Sequence, residues 1–121
     1  MNAGIWIDHR RAHIVGLNAG VPVATSILSN IEKHPERAGE VPADDHWQRA
    51  LTGELNLYYD AVIDSIRDYG KILIIGPGEA KGELRARMIK AKRGDHIAAV
   101  EPADKMTDPQ IVAKVKTYFA A

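Results

Sequence analysis

Residues 72–84 read Ile72-Leu73-Ile74-Ile75-Gly76-Pro77-Gly78-Glu79-Ala80-Lys81-Gly82-Glu83-Leu84. An unbroken aliphatic run that stops at Gly-Pro-Gly reads as a buried strand entering a turn. Leu84, Met88 and Ala91 then recur at helical spacing, which predicts a helix from Glu79 to about Arg93. Gly94-Asp95 ends that helix, and His96 to Glu101 reads as another strand. Strand, helix and strand in this order require a crossover and therefore a parallel pair.

Working outward, Gly4-Ile5-Trp6-Ile7 and Ala12 to Leu17 are strand-like and flank the polar turn Asp8-His9-Arg10-Arg11, which predicts a hairpin. Val21 to Ile31, with apolar residues at odd positions, fits a third, partly exposed strand. HPERAGEVPADD, from His34 to Asp45, has no periodicity and reads as a long loop, a place to look for function. Asp44 or Asp45 would cap the helix after it. Trp47, Leu51, Leu55, Tyr58, Val62 and Ile66 form a helical stripe over about residues 45–68, closed by Tyr69-Gly70. Thr107-Asp108-Pro109-Gln110 matches a capping box, and Ile111, Val115 and Tyr118 or Phe119 give the last helix its buried face.

The expected architecture is α/β, in a single domain over residues 1–121. A five-stranded mixed sheet carries three helices in the order βββαβαβα. Its three N-terminal strands are antiparallel, and a β-α-β crossover follows. The 121-residue length suits one core, and a 45% hydrophobic, 26% charged composition is that of a globular protein. Sixteen basic residues balance 16 acidic ones, which argues against a general nucleic-acid coat protein but leaves room for a local basic patch. The absence of cysteine removes disulfides, thiolate metal sites and a thiol nucleophile. Neither a signal peptide nor an 18-residue apolar run is visible, so no membrane association and a cytoplasmic location are expected.

The Gly-Pro-Gly turn invites a phosphate-binding reading, and spacing restricts it. A Walker loop needs Gly-Lys-Ser/Thr, whereas here Lys81 is followed by Gly82-Glu83. A dinucleotide turn needs a third glycine where Lys81 stands, although Glu101 occupies the place of a ribose-binding acid. An anion contact by Lys81 and the helix N-terminus, with Gly76 and Gly78 shaping the turn, remains open. Against it stands a purely architectural turn, with Glu79 repelling a phosphate.

The helix after the turn carries Lys81, Arg85, Arg87, Lys90, Lys92 and Arg93 against Glu83 alone. At 100° per residue, Lys81, Arg85 and Lys92 fall close to one line, which suits phosphate contacts along an RNA backbone. A solvated charged face explains the same pattern. Asp8, Glu101 and Asp104, joined by Glu54 or Asp60, are the carboxylates available to a two-metal nuclease site. Asp8 and Asp104 also sit where turns favour aspartate for backbone reasons. The scattered histidines, including His9 and His13, read as turn or surface residues rather than metal ligands. No Gly-x-Ser-x-Gly nucleophile turn occurs. Trp47, Tyr58 and Tyr59 read as helix packing rather than base stacking. No cofactor is implied.

Ile5-Trp6-Ile7-Asp8-His9-Arg10-Arg11-Ala12-His13-Ile14 resembles the opening hairpin of the middle domain of archaeal and eukaryotic class-I peptide-release factors. There an apolar strand runs through Asp-Arg to Ala-x-Ile. Gly76-Pro77-Gly78 with Lys81 resembles the Gly-Pro-Gly-x-x-Lys turn of the same domain. Bacterial stand-alone proteins with an Ile-Asp-His-Arg start, a Gly-Pro-Gly-Glu-Ala-Lys turn and an Ala-Asp-Lys-Met-Thr-Asp ending are similar more closely still. The resemblance implies a ribonuclease-H-like fold of the translational-machinery type, and association with ribosomal RNA or the ribosome. In release factors the loop before the first helix carries Gly-Gly-Gln, which promotes peptidyl-tRNA hydrolysis. Residues 34–45 hold Gly39-Glu40 and no glutamine, so no residue inherits a catalytic role.

Three function classes follow. The first is a non-enzymatic ribosome- or RNA-associated domain. The second is a divalent-metal-dependent nuclease. The third is a protein-interaction module or homodimer using an exposed sheet edge.

Overall fold

The computed structural model describes residues 1–29 and 45–120, with side chains from residue 52 onward in the first helix. The expected 34–45 loop, the far end of the third strand at Ile31 and the side chains of Trp47 and Leu51 lie outside the described residues. The elements are β1 (Asn2–Ile7), β2 (Arg11–Asn18), β3 (Val21–Leu28), α1 (Asp45–Ser65), β4 (Lys71–Gly76), α2 (Ala80–Lys90), β5 (Ile97–Pro102) and α3 (Asp108–Phe119), with a short 3₁₀ turn at Gly94–His96. This is the expected βββαβαβα order.

The sheet runs β3-β2-β1-β4-β5. β1 pairs antiparallel with β2 and parallel with β4, β2 pairs antiparallel with β3, and β4 pairs parallel with β5. The five-stranded mixed sheet with three helices is therefore as the order of elements implies. β4 is buried on both faces from Ile72 to Gly76, which accounts for its unbroken aliphatic sequence. Its Ile72 and Ile74, with Ala3, Ile5 and Ile7 of β1, pack under α1 and α2 through Tyr58, Val62, Ile66, Leu84 and Met88. The opposite face, with Trp6, Val15, Leu73 and Ile75, is covered by Ile111 and Val115 of α3. Truncating a buried side chain such as Leu84 to Ala would cost about 2–5 kcal/mol.

The end of α1 and the exposure of β3 differ from expectation, and α2 ends at Lys90 rather than Arg93. α1 ends at Ser65 rather than residue 68, because Ile66, Arg67 and Tyr69 bond three residues back to Ile63, Asp64 and Ile66 and tighten the last turn. β3 is exposed at every position except the half-buried Ile27, since it is the sheet edge and only Ile27 packs against the core under α1 and α2. The capping box on α3 forms as expected: the Thr107 side chain accepts from the Gln110 N–H at 3.3 Å, and the Gln110 side chain accepts from the Thr107 N–H at 2.9 Å.

Candidate functional site

The Gly-Pro-Gly turn is shaped by a close approach and a left-handed residue. Gly76 has φ +152°, and a Cβ there would lie 2.2 Å from the Ile7 carbonyl oxygen. Gly78 has φ +63° with open space around it. Lys81 bends back, and its Nζ donates to the Gly78 carbonyl oxygen. One of the three charges expected to line up for an anion thus closes the turn.

The basic helix divides into committed and exposed cations. Arg87 makes a two-pronged contact with Asp60 of α1, Nε to Oδ1 at 2.8 Å and Nη2 to Oδ2 at 2.9 Å. Arg93 Nη2 donates to the Arg67 carbonyl oxygen at 2.8 Å. Arg85, Lys90 and Lys92 are exposed. Lys92 leaves the line predicted for it because α2 ends at Lys90. The Lys92 N–H bonds Ile89 O, the Arg93 N–H bonds Met88 O, and Lys92 takes the left-handed conformation at φ +63°. That is a Schellman end with lysine in the position glycine usually takes.

Two of the three candidate metal carboxylates are engaged elsewhere. Asp8 Oδ1 accepts from the Arg10 and Arg11 N–H groups, each at 2.8 Å, and so fixes the β1–β2 turn. Glu101 pairs with Lys114 of α3 at 3.2 Å, and Asp104 is exposed. Among the described residues no group of three or more His, Asp or Glu is placed to hold a metal ion, so the Asp8, Glu101 and Asp104 set lacks the convergence a two-metal site needs. His9 lies in the hairpin turn, as the turn-or-surface reading expects, whereas His13 departs from it. His9 Nε2 lies 3.0 Å from Glu83 Oε1. His13 is buried on β2, with Nδ1 3.2 Å from Ser26 Oγ and 3.6 Å from Asp108 Oδ1.

Glu83 joins three elements. Its Oε1 accepts from the Tyr59 hydroxyl of α1 at 2.6 Å and contacts His9 of the hairpin turn. The neighbouring Tyr58 hydroxyl donates to the Asp8 carbonyl at 3.0 Å. Burial first, and then the hydrogen bond to Glu83, hold the Tyr59 phenol protonated far above the ordinary tyrosine range. Burial and the Asp8 charge do the same for Tyr58. Both tyrosines pack in the core, as their place on or beside the apolar stripe suggests.

A half-open cleft of about 650 Å³, which sequence reasoning did not find, lies at the carboxyl ends of β1, β3, β4 and β5 and the start of β2. The hairpin turn supplies Asp8, Arg10 and Arg11, the end of β3 supplies Leu28 and Ser29, and Pro77 and Lys105 come from the loops after β4 and β5. Trp6 forms part of its wall. These segments are tied together. Trp6 Nε1 donates to the Asp104 carbonyl at 3.0 Å, and the Ser29 hydroxyl donates to the His9 carbonyl at 2.6 Å. The Ser29 N–H bonds Arg10 O at 2.8 Å, and the Ala103 N–H bonds Gly76 O at 3.0 Å. The Arg11 guanidinium lies 5.3 Å from the Trp6 ring centroid and 3.7 Å from Asp108 Oδ1. The available signal was polar sequence directly after two strands, Asp-His-Arg-Arg after β1 and Ala-Asp-Lys after β5.

No protein-family model matches the chain, and no curated relative matches it in sequence. Solved structures do match in fold. The Pelota protein of Thermoplasma acidophilum superposes with a TM-score of 0.58 at 18% identity, over 91% of this chain and 30% of that one. The archaeal translation termination factor aRF1 gives 0.63 at 10% identity, over 94% and 32%. Dom34 of S. cerevisiae, a translation termination-like factor involved in RNA quality control pathways and interacting with Hbs1, gives 0.51 at 8%, over 98% and 36%. The chain thus spans about a third of each of these proteins, and it has the fold of that part of them. No helix among the described residues is long and apolar enough to cross a membrane.

Proposed function

We propose that this chain is a translation-associated domain that binds RNA on a ribosomal surface and does not hydrolyse peptidyl-tRNA. The observation that carries this reading is the match of 94–98% of the chain to part of a translation termination factor and of a termination-like factor of RNA quality control. The hairpin and the Gly-Pro-Gly-x-x-Lys turn fall where the release-factor resemblance puts them, between β1 and β2 and between β4 and α2. The missing Gly-Gly-Gln in residues 34–45 removes the group that would assist hydrolysis. The chain would act as a relative of the middle domain.

Contacts are assigned to the exposed end of α2. Arg85, Lys90 and Lys92 present positive charge to solvent, whereas Lys81, Arg87 and Arg93 hold the fold. Lys92 supports the assignment independently. A lysine in a left-handed position costs backbone strain that glycine would relieve, and such strain gathers at functional positions. Sedimentation with ribosomes in rising salt tests the proposal. Binding should weaken with salt and fall when Arg85, Lys90 and Lys92 become Ala.

A further inference from the structure

We infer that β3 pairs with β3 of a second copy of this chain, antiparallel about a two-fold axis through Thr25, so that the two sheets join at their edges. β3 lies at the edge of the sheet and is exposed at every residue but Ile27, with Val21 60%, Val23 50% and Leu28 73% exposed. Its eight residues, Val-Pro-Val-Ala-Thr-Ser-Ile-Leu, hold no charge. Its register against β2 runs unbroken from Val21 opposite Asn18 to Leu28 opposite Arg11. Sheet edges are ordinarily blunted by charged side chains, bulges or a covering element, and an edge without them is open to another strand. β5, at the opposite edge, has such protection: its register shifts beside Leu73, and it carries Glu101, paired with Lys114 of α3.

The backbone suits such pairing. The Ser29 N–H bonds Arg10 O, so in the unbroken register the odd-numbered residues of β3 direct their N–H and C=O groups at β2. Those of Pro22, Ala24, Ser26 and Leu28 then face away from the sheet. Pro22 has no N–H and falls on the outward side, so it costs the β2–β3 pair no bond and leaves the outward N–H groups of Ala24, Ser26 and Leu28 intact. What selects a second copy is the symmetry of the strand about Thr25. Antiparallel pairing there sets Ala24 opposite Ser26 of the second copy, Pro22 opposite Leu28, Val23 opposite Ile27, and Thr25 opposite its own equivalent. Val23 with Ile27 and Pro22 with Leu28 join apolar to apolar side chains, which takes Val23 and Leu28 out of water, and no like charges are opposed. The exposure of Val21 to Ser26 on both faces leaves room for a second sheet to approach. This edge is separate from the end of α2 assigned to RNA, so each succeeds or fails alone.

Sedimentation velocity of the unaltered chain from about 1 to about 200 μM tests the inference, since association by mass action populates the paired form as concentration rises. A dimer that grows with concentration and goes no further is expected, because a two-fold contact closes on itself. Thr25→Lys sets two ammonium groups against each other on the axis and should raise the dimer dissociation constant about tenfold or more, with the circular dichroism spectrum unchanged. A second readout does not depend on that variant. The chain has no cysteine, and the Cα atoms of a non-hydrogen-bonded antiparallel pair lie about 4.5 Å apart, within disulfide reach. Thr25→Cys should therefore form a covalent dimer under mild oxidation. Val21→Cys, also exposed but about 27 Å from its equivalent across the axis, should not. A chain that stays monomeric at about 200 μM would overturn the inference and leave the edge to a strand of another protein. A dimer unaffected by Thr25→Lys, or no more cross-linking of Thr25→Cys than of Val21→Cys, would overturn it by placing the interface elsewhere.

Discussion

Gly76 carries the chain past Ile7 so closely that a side-chain carbon at residue 76 would stand 2.2 Å from the Ile7 carbonyl oxygen. Two parallel strands thus meet their following turns at one point, where β1 gives way to the hairpin turn and β4 to the Gly-Pro-Gly turn. Gly78, two residues on, has positive φ but nothing within 4 Å of its would-be Cβ. Gly76→Ala should therefore destabilise the fold by more than about 3 kcal/mol, through a backbone clash that cannot be relieved without separating β1 from the turn. Gly78→Ala should cost only about 1 kcal/mol, the strain of a left-handed alanine. Urea unfolding of both variants checks the order, and equal losses would contradict it.

Tyr58 and Tyr59 make stability fall in alkali. Their phenols are held protonated in the fold far above the ordinary tyrosine value of 10.0, chiefly by burial. Unfolded tyrosine ionises near 10, so the unfolded chain binds fewer protons above that pH. Stability is full below about pH 10 and falls above it, by roughly 1.4 kcal/mol per pH unit for each phenol. Tyr59→Phe should reduce this slope by about that amount while costing about 1 kcal/mol at neutral pH for the lost bond to Glu83. Denaturant unfolding across the alkaline range measures both.

Asp60 and Arg87 join α1 to α2 on the surface, and their hydrogen bonds hold the Asp60 carboxyl below its ordinary value of 3.8. A depressed folded value means that the contribution is full above about pH 4 and is lost as pH falls through the folded value. Solvent screens the pair, so Asp60→Asn should cost only about 0.5–1 kcal/mol near neutrality. The difference from the parent should shrink in acid and in high salt.

Lys92 closes α2 in a conformation that suits glycine. Lys92→Gly should raise stability by about 0.5–1 kcal/mol, because the relieved strain exceeds the extra backbone freedom of glycine in the unfolded chain. Thermal unfolding of this variant beside Lys92→Ala, which keeps the strain and loses the charge, separates backbone from electrostatic effects.

Local signals carried most of the fold. The Ile72–Ile75 run has no polar interruption because β4 is covered on both faces, and the Thr107–Gln110 box needs only residues three apart. Tertiary decisions were not visible in the same way. Helical periodicity places Lys92 in line with Lys81 and Arg85, yet the helix stops two residues earlier and turns it away. His13 falls on the predicted second strand, but its burial is not legible there, since it depends on α3 covering that face of the sheet. The cleft is the furthest from sequence reading, since its walls depend on contacts such as Trp6 with Asp104, 98 positions apart.

Association with the ribosome is most directly measured by sedimenting the full chain with purified ribosomes at about 50 and about 200 mM salt. If Arg85, Lys90 and Lys92 hold RNA phosphates, the pelleted fraction is high at low salt and falls several-fold at the higher salt. Replacing the three with Ala lowers it at low salt and flattens the salt dependence. No sedimentation at about 50 mM salt, or sedimentation unchanged by the triple replacement, would contradict an RNA-binding α2.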